Sequence, residues 1–459
     1  MDKLNQAQLI GLAQNPNAPT STLLALLGTG DHEIQRRVLS TPHVPAQVWD
    51  AAVTHPDEHV RRMVANNRYA PPEQRARLVT DPAADVRIAT AQGPSALRET
   101  VPPLPEHAYA VLAEDADRRV REALAGRHDI PPSTRRTLCA DQDPGVRAAA
   151  VHAWPDPPDD ITDRLLADPV PSVRRTAALK VVARRPELVP ALLADDELDD
   201  YDKATKVAKT ARLDRETALR LARHEDPDFR EAVAANPHTP ADLVAELARD
   251  PEHEVRLAVS MRPELTEEQR AAIDYHVAPK DFVRPPGWAW ERLDDLQTMR
   301  RCATSAHPAL RRAAAYSPYL PPDLVDLLAE DDDFSVRLLL TEHHPSPPPA
   351  LLLSTLLENP FISRFDELSR PEFPRENLRR FATSDDPGAR ALAAHDPDAP
   401  PDLIERLSHD PDPGVRRVMA SDPRLPRPRL LALLADRETA TAAAANPALP
   451  REVMTALMT

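Results

Sequence analysis

Residues 236–260, NPHTPADLVAELARDPEHEVRLAVS, decide the fold of this chain because they contain one complete structural repeat. The apolar residues after its second proline recur at helical spacing and predict an amphipathic helix: Leu243, Val244 and Leu247. The pair Asp250-Pro251 ends that helix. The apolar residues that follow predict a second, shorter helix: Val255, Ala258 and Val259.

The second helix of this stretch carries an apolar residue followed by Arg, and that pair recurs along the chain. It is found at Val60-Arg61, Val86-Arg87, Val120-Arg121, Val146-Arg147, Val173-Arg174, Phe229-Arg230, Val255-Arg256, Leu310-Arg311, Val336-Arg337, Ala389-Arg390 and Val415-Arg416. Many successive copies are 26 residues apart, as between positions 120 and 146. A fixed period of this length predicts a solenoid of stacked helical repeats. Such a fold offers a long surface for a partner and has no buried catalytic cleft by default.

Two further sequence features recur with the same period as this pair. When Ile34-Gln35 is counted as a further copy in which Gln replaces Arg, the residue five positions before the apolar residue is Asp, Ser or Thr in ten of twelve copies. This predicts that it caps the second helix. A Pro-x-x-Pro pattern, as at Pro237/Pro240, ends one repeat and begins the next. Each predicted helix has only about 8–11 residues and is too short to be stable alone. Its apolar stripe must therefore be buried against neighbouring repeats.

The repeat resembles the leucine-rich repeat variant family and, more loosely, HEAT repeats. The resemblance is carried by the Asn-Pro-x-x-Pro opening, the Leu-x-x-x-Leu helix (Leu243, Leu247), the Asp-Pro joint and the Val-Arg start, and it covers nearly the whole chain. It implies an all-α fold, a right-handed superhelical solenoid of about sixteen two-helix repeats. The period is nearer 26 than the ~24 typical of the family. With only Cys139 and Cys302 present, the cysteine-rich iron–sulfur segment of some members is absent, and no cofactor is expected.

The organisation follows from this register. Residues 1–14 are predicted to form an N-terminal capping helix, 15–445 the solenoid, and 446–459 a C-terminal half-repeat cap. The apolar-Arg pair lapses three times, which predicts degenerate repeats near 181–215, 276–300 and 358–376. Breaks of this kind often carry insertions and binding surface.

The composition restricts the function classes. The chain has 57 Lys and Arg against 73 Asp and Glu, a net charge of −16, so a nucleic-acid partner is not expected. It has neither a recognisable signal peptide nor an apolar run approaching ~18 residues, which predicts a cytoplasmic protein without a membrane segment. It also lacks a His-Glu-x-x-His pattern and a glycine-rich phosphate loop, so neither a metal site nor an enzymatic activity is expected.

The repeated arginines permit two interpretations. Each can pair with an Asp at a neighbouring helix start and so link the repeats. Alternatively, the second arginine of pairs such as Arg311-Arg312 lines a concave anion-binding groove. The register favours the structural interpretation, although Arg312 remains a candidate for partner binding.

Aromatic residues concentrate in one part of the chain, since eleven of the 17 lie between positions 275 and 381. The loop Pro285–Trp290 contains two tryptophans beside a degenerate repeat. Trp, Tyr and Arg are favoured interface anchors. Together with Arg312, the candidate partner-binding residues are therefore Trp288, Trp290, Phe282, Arg284, Tyr316 and Tyr319. The alternative is that the aromatic side chains only fill space in an imperfect repeat.

These observations predict a non-enzymatic scaffold that binds a protein or peptide on its concave surface. The alternative is a nucleic-acid-acting enzyme similar to the HEAT-like DNA glycosylases. That resemblance implies aromatic residues and a carboxylate at the concave surface, for which Trp288, Trp290 and Asp294 or Asp295 are the candidates.

Overall fold

The structure is a computed structural model that describes residues 3–94, 101–278, 283–358, 368 and 370–458. The described residues form helices joined by turns and contain no β-strand, which confirms the all-α prediction. The chain divides into two compact bodies. We call Met1–Ala177 together with Arg375–Thr459 the terminal body, and Ala178–Pro374 the central body.

The helices are short and mostly come in pairs. Up to residue 181 they are Lys3–Ala13, Thr20–Leu27, His32–Leu39, Ala46–Val53, Glu58–Ala65, Pro72–Ala76, Ala84–Gln92, Glu106–Ala113, Arg118–Ala125, Pro132–Leu138, Pro144–His152, Asp159–Leu166 and Pro171–Val181. Between residues 186 and 358 they are Pro186–Leu188 (3-10), Val189–Leu193, Asp200–Asp202, Lys203–Ala208 (π), Arg215–Ala222, Pro227–Ala235, Ala241–Leu247, His253–Ser260, Glu267–Ala271, Gly287–Trp290, Leu296–Ala303, Pro308–Ala315, Pro322–Ala329, Phe334–His343 and Pro349–Glu358. The remaining ones are Leu378–Thr383 (3-10), Pro387–Ala391, Leu392–His395 (3-10), Pro401–Leu407, Pro413–Ala420, Arg427–Leu434, Ala440–Ala444 and Arg451–Ala456.

A regular repeat is formed by the helices Ala241–Leu247 and His253–Ser260. Pro240 precedes the first of them with φ −56° and ψ 140°, an extended entry that the proline ring favours. The two helices bury the apolar residues that the sequence spacing predicts. His253–Ser260 packs against Pro227–Ala235, the second helix of the preceding repeat. Burial of the apolar stripes between repeats stabilises helices that are too short to persist alone.

The second helices begin two residues later than the predicted cap position implies, and several of them are capped by the Asp that directly precedes them. Helix Pro144–His152 begins after Asp143, whose carboxylate accepts hydrogen bonds from N–H groups of the first turn. Asp141, at the predicted cap position, instead accepts the N–H of Asp143 at 2.8 Å. The predicted cap was therefore wrong, because the side chain at that position shapes the turn before the helix. His55 and His224 serve the same turn through Nδ1.

The first and last repeats of the chain are neighbours within the terminal body. Helix Lys3–Ala13 packs against Ala440–Ala444. The Asn15 amide donates to the carbonyl oxygens of Ala444 at 2.8 Å and Asn446 at 2.7 Å. A Cβ atom on Gly11 would overlap backbone of the helix Ala440–Ala444, so the helices can approach this closely only because that residue is glycine.

This contact between the termini is the same as a contact between consecutive repeats. The Asn446 amide donates to the carbonyl oxygens of Ala420 and Asp422, both at 2.8 Å, in the repeat before it. Asn15 makes the equivalent pair of bonds and stands in the register of a repeat that follows Asn446. Helix Lys3–Ala13, within the segment 1–14 predicted as a cap, is thus packed against the repeat that contains Ala440–Ala444.

The regions predicted as degenerate repeats depart from the regular pair. Near 181–215 the chain forms several short helices, including the π-helix Lys203–Ala208. Near 276–300 the helix Gly287–Trp290 has four residues, where regular second helices have about eight. Most of the region 358–376 and Phe282 lie outside the described residues.

Candidate partner-binding surface

An arginine of one repeat pairs with an aspartate of the next along much of the chain. Arg121 donates from Nε and Nη2 to both carboxylate oxygens of Asp141, at 2.7 and 3.0 Å. The other bidentate pairs are Arg61–Asp81, Arg87–Asp115, Arg147–Asp168, Arg230–Asp250, Arg311–Asp331 and Arg390–Asp410. Each arginine also donates from Nη1 to a carbonyl of its own repeat, as Arg121 does to Asp115 at 2.7 Å. The interpretation of these arginines as links between repeats is confirmed.

We call these arginine–aspartate pairs the ladder. The pKa shifts of their carboxylates agree with a structural role. The Arg147 guanidinium holds the pKa of Asp168 below its usual range, and Arg390 does the same for Asp410. Bidentate pairing to an ionised carboxylate uses the directed N–H donors that an external anion would need. The ladder arginines in these pairs are therefore not a row of anion-binding groups.

Arg312 is part of the fold and does not lie at the surface. Its side chain is 3% exposed and contacts the Asp333 carboxylate, with Nε donating at 2.8 Å. It also donates from Nη2 to the Ala278 carbonyl at 2.9 Å. We therefore leave Arg312 out of the partner-binding surface proposed below.

The two tryptophans of the Pro285–Trp290 loop have different environments. Trp288 is half-buried, packs against the central-body core and donates its indole N–H to the Met261 carbonyl at 3.0 Å. Trp290 is 51% exposed. Trp288 thus anchors the short helix, whereas Trp290 presents a large apolar surface to solvent.

Trp290 begins a row of rings that we call the aromatic row: Trp290, Tyr316 and His343. The Trp290 and Tyr316 centroids are 5.3 Å apart with an edge-to-face angle of 75°, and those of Tyr316 and His343 are 4.6 Å apart. The three residues lie 26 and 27 positions apart, so each ends the second helix of its repeat or directly follows it. Burial raises the pKa of Tyr316, and the nearby Glu342 carboxylate adds to the shift. Tyr316 therefore stays protonated at neutral pH.

Of the other predicted site residues, Tyr319 is 69% exposed and Arg284 is also exposed. Phe282 lies outside the described residues. Sequence reasoning missed His343, although its spacing from Tyr316 repeats that between Trp290 and Tyr316. The repeat period applied to aromatic positions is the signal that would have found it.

A groove of about 470 Å³ adjoins Tyr319 and His343 along the chain. Its described lining residues are Leu320, residues of the helix Pro322–Ala329 that follows it, residues of the segment that opens the next repeat, and Glu372. Leu320, Val325 and Pro347 make much of it apolar. Asp326 and Glu372 are the charged residues among those that line it.

A smaller cavity of about 270 Å³ lies between the helices Glu267–Ala271 and Leu296–Ala303. Its lining includes Arg270, which is buried and donates to the carbonyl oxygens of Ser260 and Arg262. The Arg270 guanidinium is thus already engaged by backbone groups of the protein.

Of the two carboxylates suggested for a glycosylase-like reaction, Asp294 is exposed and Asp295 serves the fold. Asp295 accepts hydrogen bonds from the Thr298 hydroxyl and from the N–H groups of Gln297 and Thr298, which caps the helix Leu296–Ala303. These bonds lower the pKa of Asp295, and the bond from the Thr298 hydroxyl contributes most to the shift. A general acid or base for neutral pH needs a pKa moved toward 7, the opposite direction.

The charge of the chain is concentrated in the central body. Residues 178–374 contain 25 Lys and Arg against 37 Asp and Glu, a net charge of −12 out of −16 for the whole chain. This sign repels a phosphate backbone. No observation on the described residues favours the nucleic-acid enzyme.

Two searches of the described residues gave negative results. They contain no group of three or more His, Cys, Asp or Glu side chains arranged to hold a metal ion. No helix in the described part of the chain has both the length and the apolar character that a membrane span requires.

Solved structures that are similar to this chain include the following three. One is described as a leucine-rich repeat variant with a novel repetitive protein structural motif, with 25% identity, a TM-score of 0.33, and coverage of 51% of this chain and 87% of that chain. The S. pombe condensin Cnd3–Cnd2 subcomplex has 13% identity and a TM-score of 0.24, covering 94% and 69%. Kap121p bound to Nup53p has 11% identity and a TM-score of 0.25, covering 96% and 51%. These TM-scores are low, so the fold assignment rests on the helices and inter-repeat contacts of the chain itself.

The sequence comparisons match a smaller part of the chain. Residues 227–252 match the family model of the leucine rich repeat variant. No curated protein matches the chain. The matched residues include Asn236-Pro237 and the helix Ala241–Leu247, on which the resemblance was based. The family model thus confirms, for this repeat, the resemblance to the leucine-rich repeat variant that the sequence predicts.

Proposed function

We propose that this protein is a non-catalytic repeat scaffold whose central body binds a protein or peptide partner. The observation that carries the proposal is the aromatic row, since an exposed tryptophan, a half-buried tyrosine and an exposed histidine lie beside one another on successive repeats. Exposed Trp and Tyr side chains that are already fixed by their neighbours lose little entropy when a partner covers them. The binding surface comprises the aromatic row, Tyr319 and Arg284. A concave binding face and a cytoplasmic location stay predictions.

The proposal is tested by replacing two residues of the aromatic row with alanine. Cross-linking and mass spectrometry on extract of the source cells would compare the wild type with Trp290→Ala/Tyr316→Ala. Truncation of interface anchors costs about 2 kcal/mol or more, which corresponds to roughly 30-fold weaker binding. We expect enrichment of a specific partner to fall by about that factor.

Tyr201→Ala is the matched control, because Tyr201 is 61% exposed but lies outside the row. It is expected to leave the enrichment unchanged. Partner recovery that survives the double substitution would refute the aromatic row as the binding surface. An enzymatic activity of the purified protein would contradict the non-catalytic assignment.

A further inference from the structure

We propose that the partner segment held by the central body is cationic, and that the groove beside Tyr319 receives one of its Lys or Arg side chains. This inference rests on the proposed function and specifies the chemistry of the partner. It is carried by the groove, by the sign of its charges and by its position along the chain.

The groove is built from successive repeats. Leu320 and Val325 come from one repeat, and the segment His344–Pro349 opens the next. The His344 ring is buried, contacts the Leu320 carbonyl at 3.4 Å through Nε2 and accepts the Ser346 N–H at 3.2 Å through Nδ1. These bonds fix the wall of the groove against the preceding repeat, so the groove is a preformed feature of the fold.

The lining of the groove matches a long cationic side chain. Its apolar part, formed by Leu320, Val325 and Pro347, suits the aliphatic stem of Lys or Arg. Asp326 is exposed and Glu372 is half-buried, so both carboxylates can meet a charged head group. The described lining contains neither Lys nor Arg. A carboxylate pairs most strongly with a guanidinium or ammonium donor.

The surroundings extend the same preference. The net charge of −12 over residues 178–374 attracts a basic segment over distances of about a Debye length. Tyr319 directly precedes Leu320 of the groove, and His343 directly precedes His344. Exposed rings such as Tyr319 and Trp290 offer faces to further cations. A basic segment leaving the groove toward Tyr319 therefore continues to meet a favourable group.

One local feature has the opposite sign. Arg284 and Arg292 are exposed near the Trp290 end of the row. They would favour acidic residues in a partner at that end. Acidic peptides are therefore the outcome that most sharply opposes the proposal, and the experiment is chosen to detect them.

The probe is a phage-displayed library of random twelve-residue peptides, selected against the full chain. Enriched peptides are then synthesised, and their Kd is measured by fluorescence anisotropy at physiological salt. We expect the enriched sequences to combine Lys or Arg with apolar residues. We expect Asp326→Asn/Glu372→Gln to weaken their binding about tenfold or more.

The matched control is Glu216→Gln/Glu225→Gln. This control also removes two negative charges, but from exposed positions of the central body outside the groove. Both double variants are isosteric at the surface and are checked for an unchanged thermal unfolding midpoint. The control is expected to change Kd by less than about twofold, since exposed charges at a distance are screened by salt.

The outcomes separate this inference from the proposed function. Acidic or uncharged peptides whose binding is lost in Ser346→Trp, which fills the exposed rim of the groove, would overturn the cationic assignment and leave the scaffold intact. Equal weakening by the two double variants would overturn the groove as the site. Failure to enrich any peptide sensitive to the groove variants or to Trp290→Ala/Tyr316→Ala would overturn both.

Discussion

At the scale of single residues, each ladder pair satisfies its polar groups almost completely. Asp141 receives two bonds from Arg121 and one from the Asp143 N–H, while Arg121 also donates to the Asp115 carbonyl. The two side chains of the pair are only 7% and 8% exposed. A buried ion pair adds little compared with apolar residues of the same shape, but removal of one partner leaves an uncompensated charge.

Arg121→Ala is therefore expected to lower the free energy of unfolding by about 3 kcal/mol. The matched control is Arg136→Ala, since Arg136 pairs with Asp160 at a position where the side chains are 46% and 64% exposed. Exposed pairs contribute about 1 kcal/mol or less. Urea unfolding followed by circular dichroism measures both. A similar loss in the two variants would contradict a structural role specific to the ladder.

At the scale of elements, an Asn amide at the start of a repeat satisfies two carbonyls at the end of the previous second helix. Asn236 does so for Ala208 and Ala211 at 2.7 and 2.8 Å. The Arg262 side chain makes an equivalent pair of bonds with the carbonyls of Ala234 and Asn236. Different side chains can therefore occupy this position at the start of a repeat, provided that they donate hydrogen bonds to both carbonyl oxygens.

The contact between Asn15 and the last repeat should then contribute as much to the free energy of unfolding as the same contact between internal repeats. Asn15→Ala leaves the Ala444 and Asn446 carbonyls without this donor, and we expect it to cost about 1–3 kcal/mol, the same as we expect for Asn236→Ala. Hydrogen exchange of the helix Ala440–Ala444, compared between Asn15→Ala and the wild type, gives the measurement. Unchanged exchange would indicate that this contact does not stabilise the last repeat.

The sequence predicts the elements well because the information for them is local. Apolar spacing and proline positions predict the helices, and the 26-residue register predicts the arginine links. The contact of Asn15 with Asn446 is not predictable in this way, since the two residues are distant in sequence and only their shared Asn-Pro motif relates them. The candidate site was predicted in part. The aromatic concentration pointed to Trp290 and Tyr316, whereas the burial of Arg312 and the carboxylates of the groove depend on tertiary packing.

At the scale of the whole molecule, the two bodies can be monitored separately through the two cysteines. Cys139 lies in the terminal body and Cys302 in the central body, and both are buried. Burial raises the pKa of Cys139 to about 11 and that of Cys302 to about 12. At pH 8 the reactive thiolate is then about one part in a thousand or less in the folded chain, which is far below its fraction in an unfolded chain.

We therefore expect both thiols to resist iodoacetamide at pH 8 until urea unfolds the body that contains them. Mass spectrometry of each labelled peptide over a urea series gives the two transitions. Arg121→Ala should shift the Cys139 transition to lower urea and leave that of Cys302 unchanged. Fast labelling of either thiol in buffer alone would contradict the burial on which the expectation rests.

The joining of the first and last repeats also has a consequence for the order in which we expect the chain to fold. Asn15 and Asn446 are 431 positions apart, whereas Asn236 reaches back only 25 positions to Ala211. Loop-closure entropy costs about 0.6 kcal/mol for each doubling of length, so in an unfolded chain the long closure costs about 2.5 kcal/mol more than the short one. We therefore expect contacts between consecutive repeats to form first, and the contact between Asn15 and Asn446 to form late, once the repeats beside it are folded.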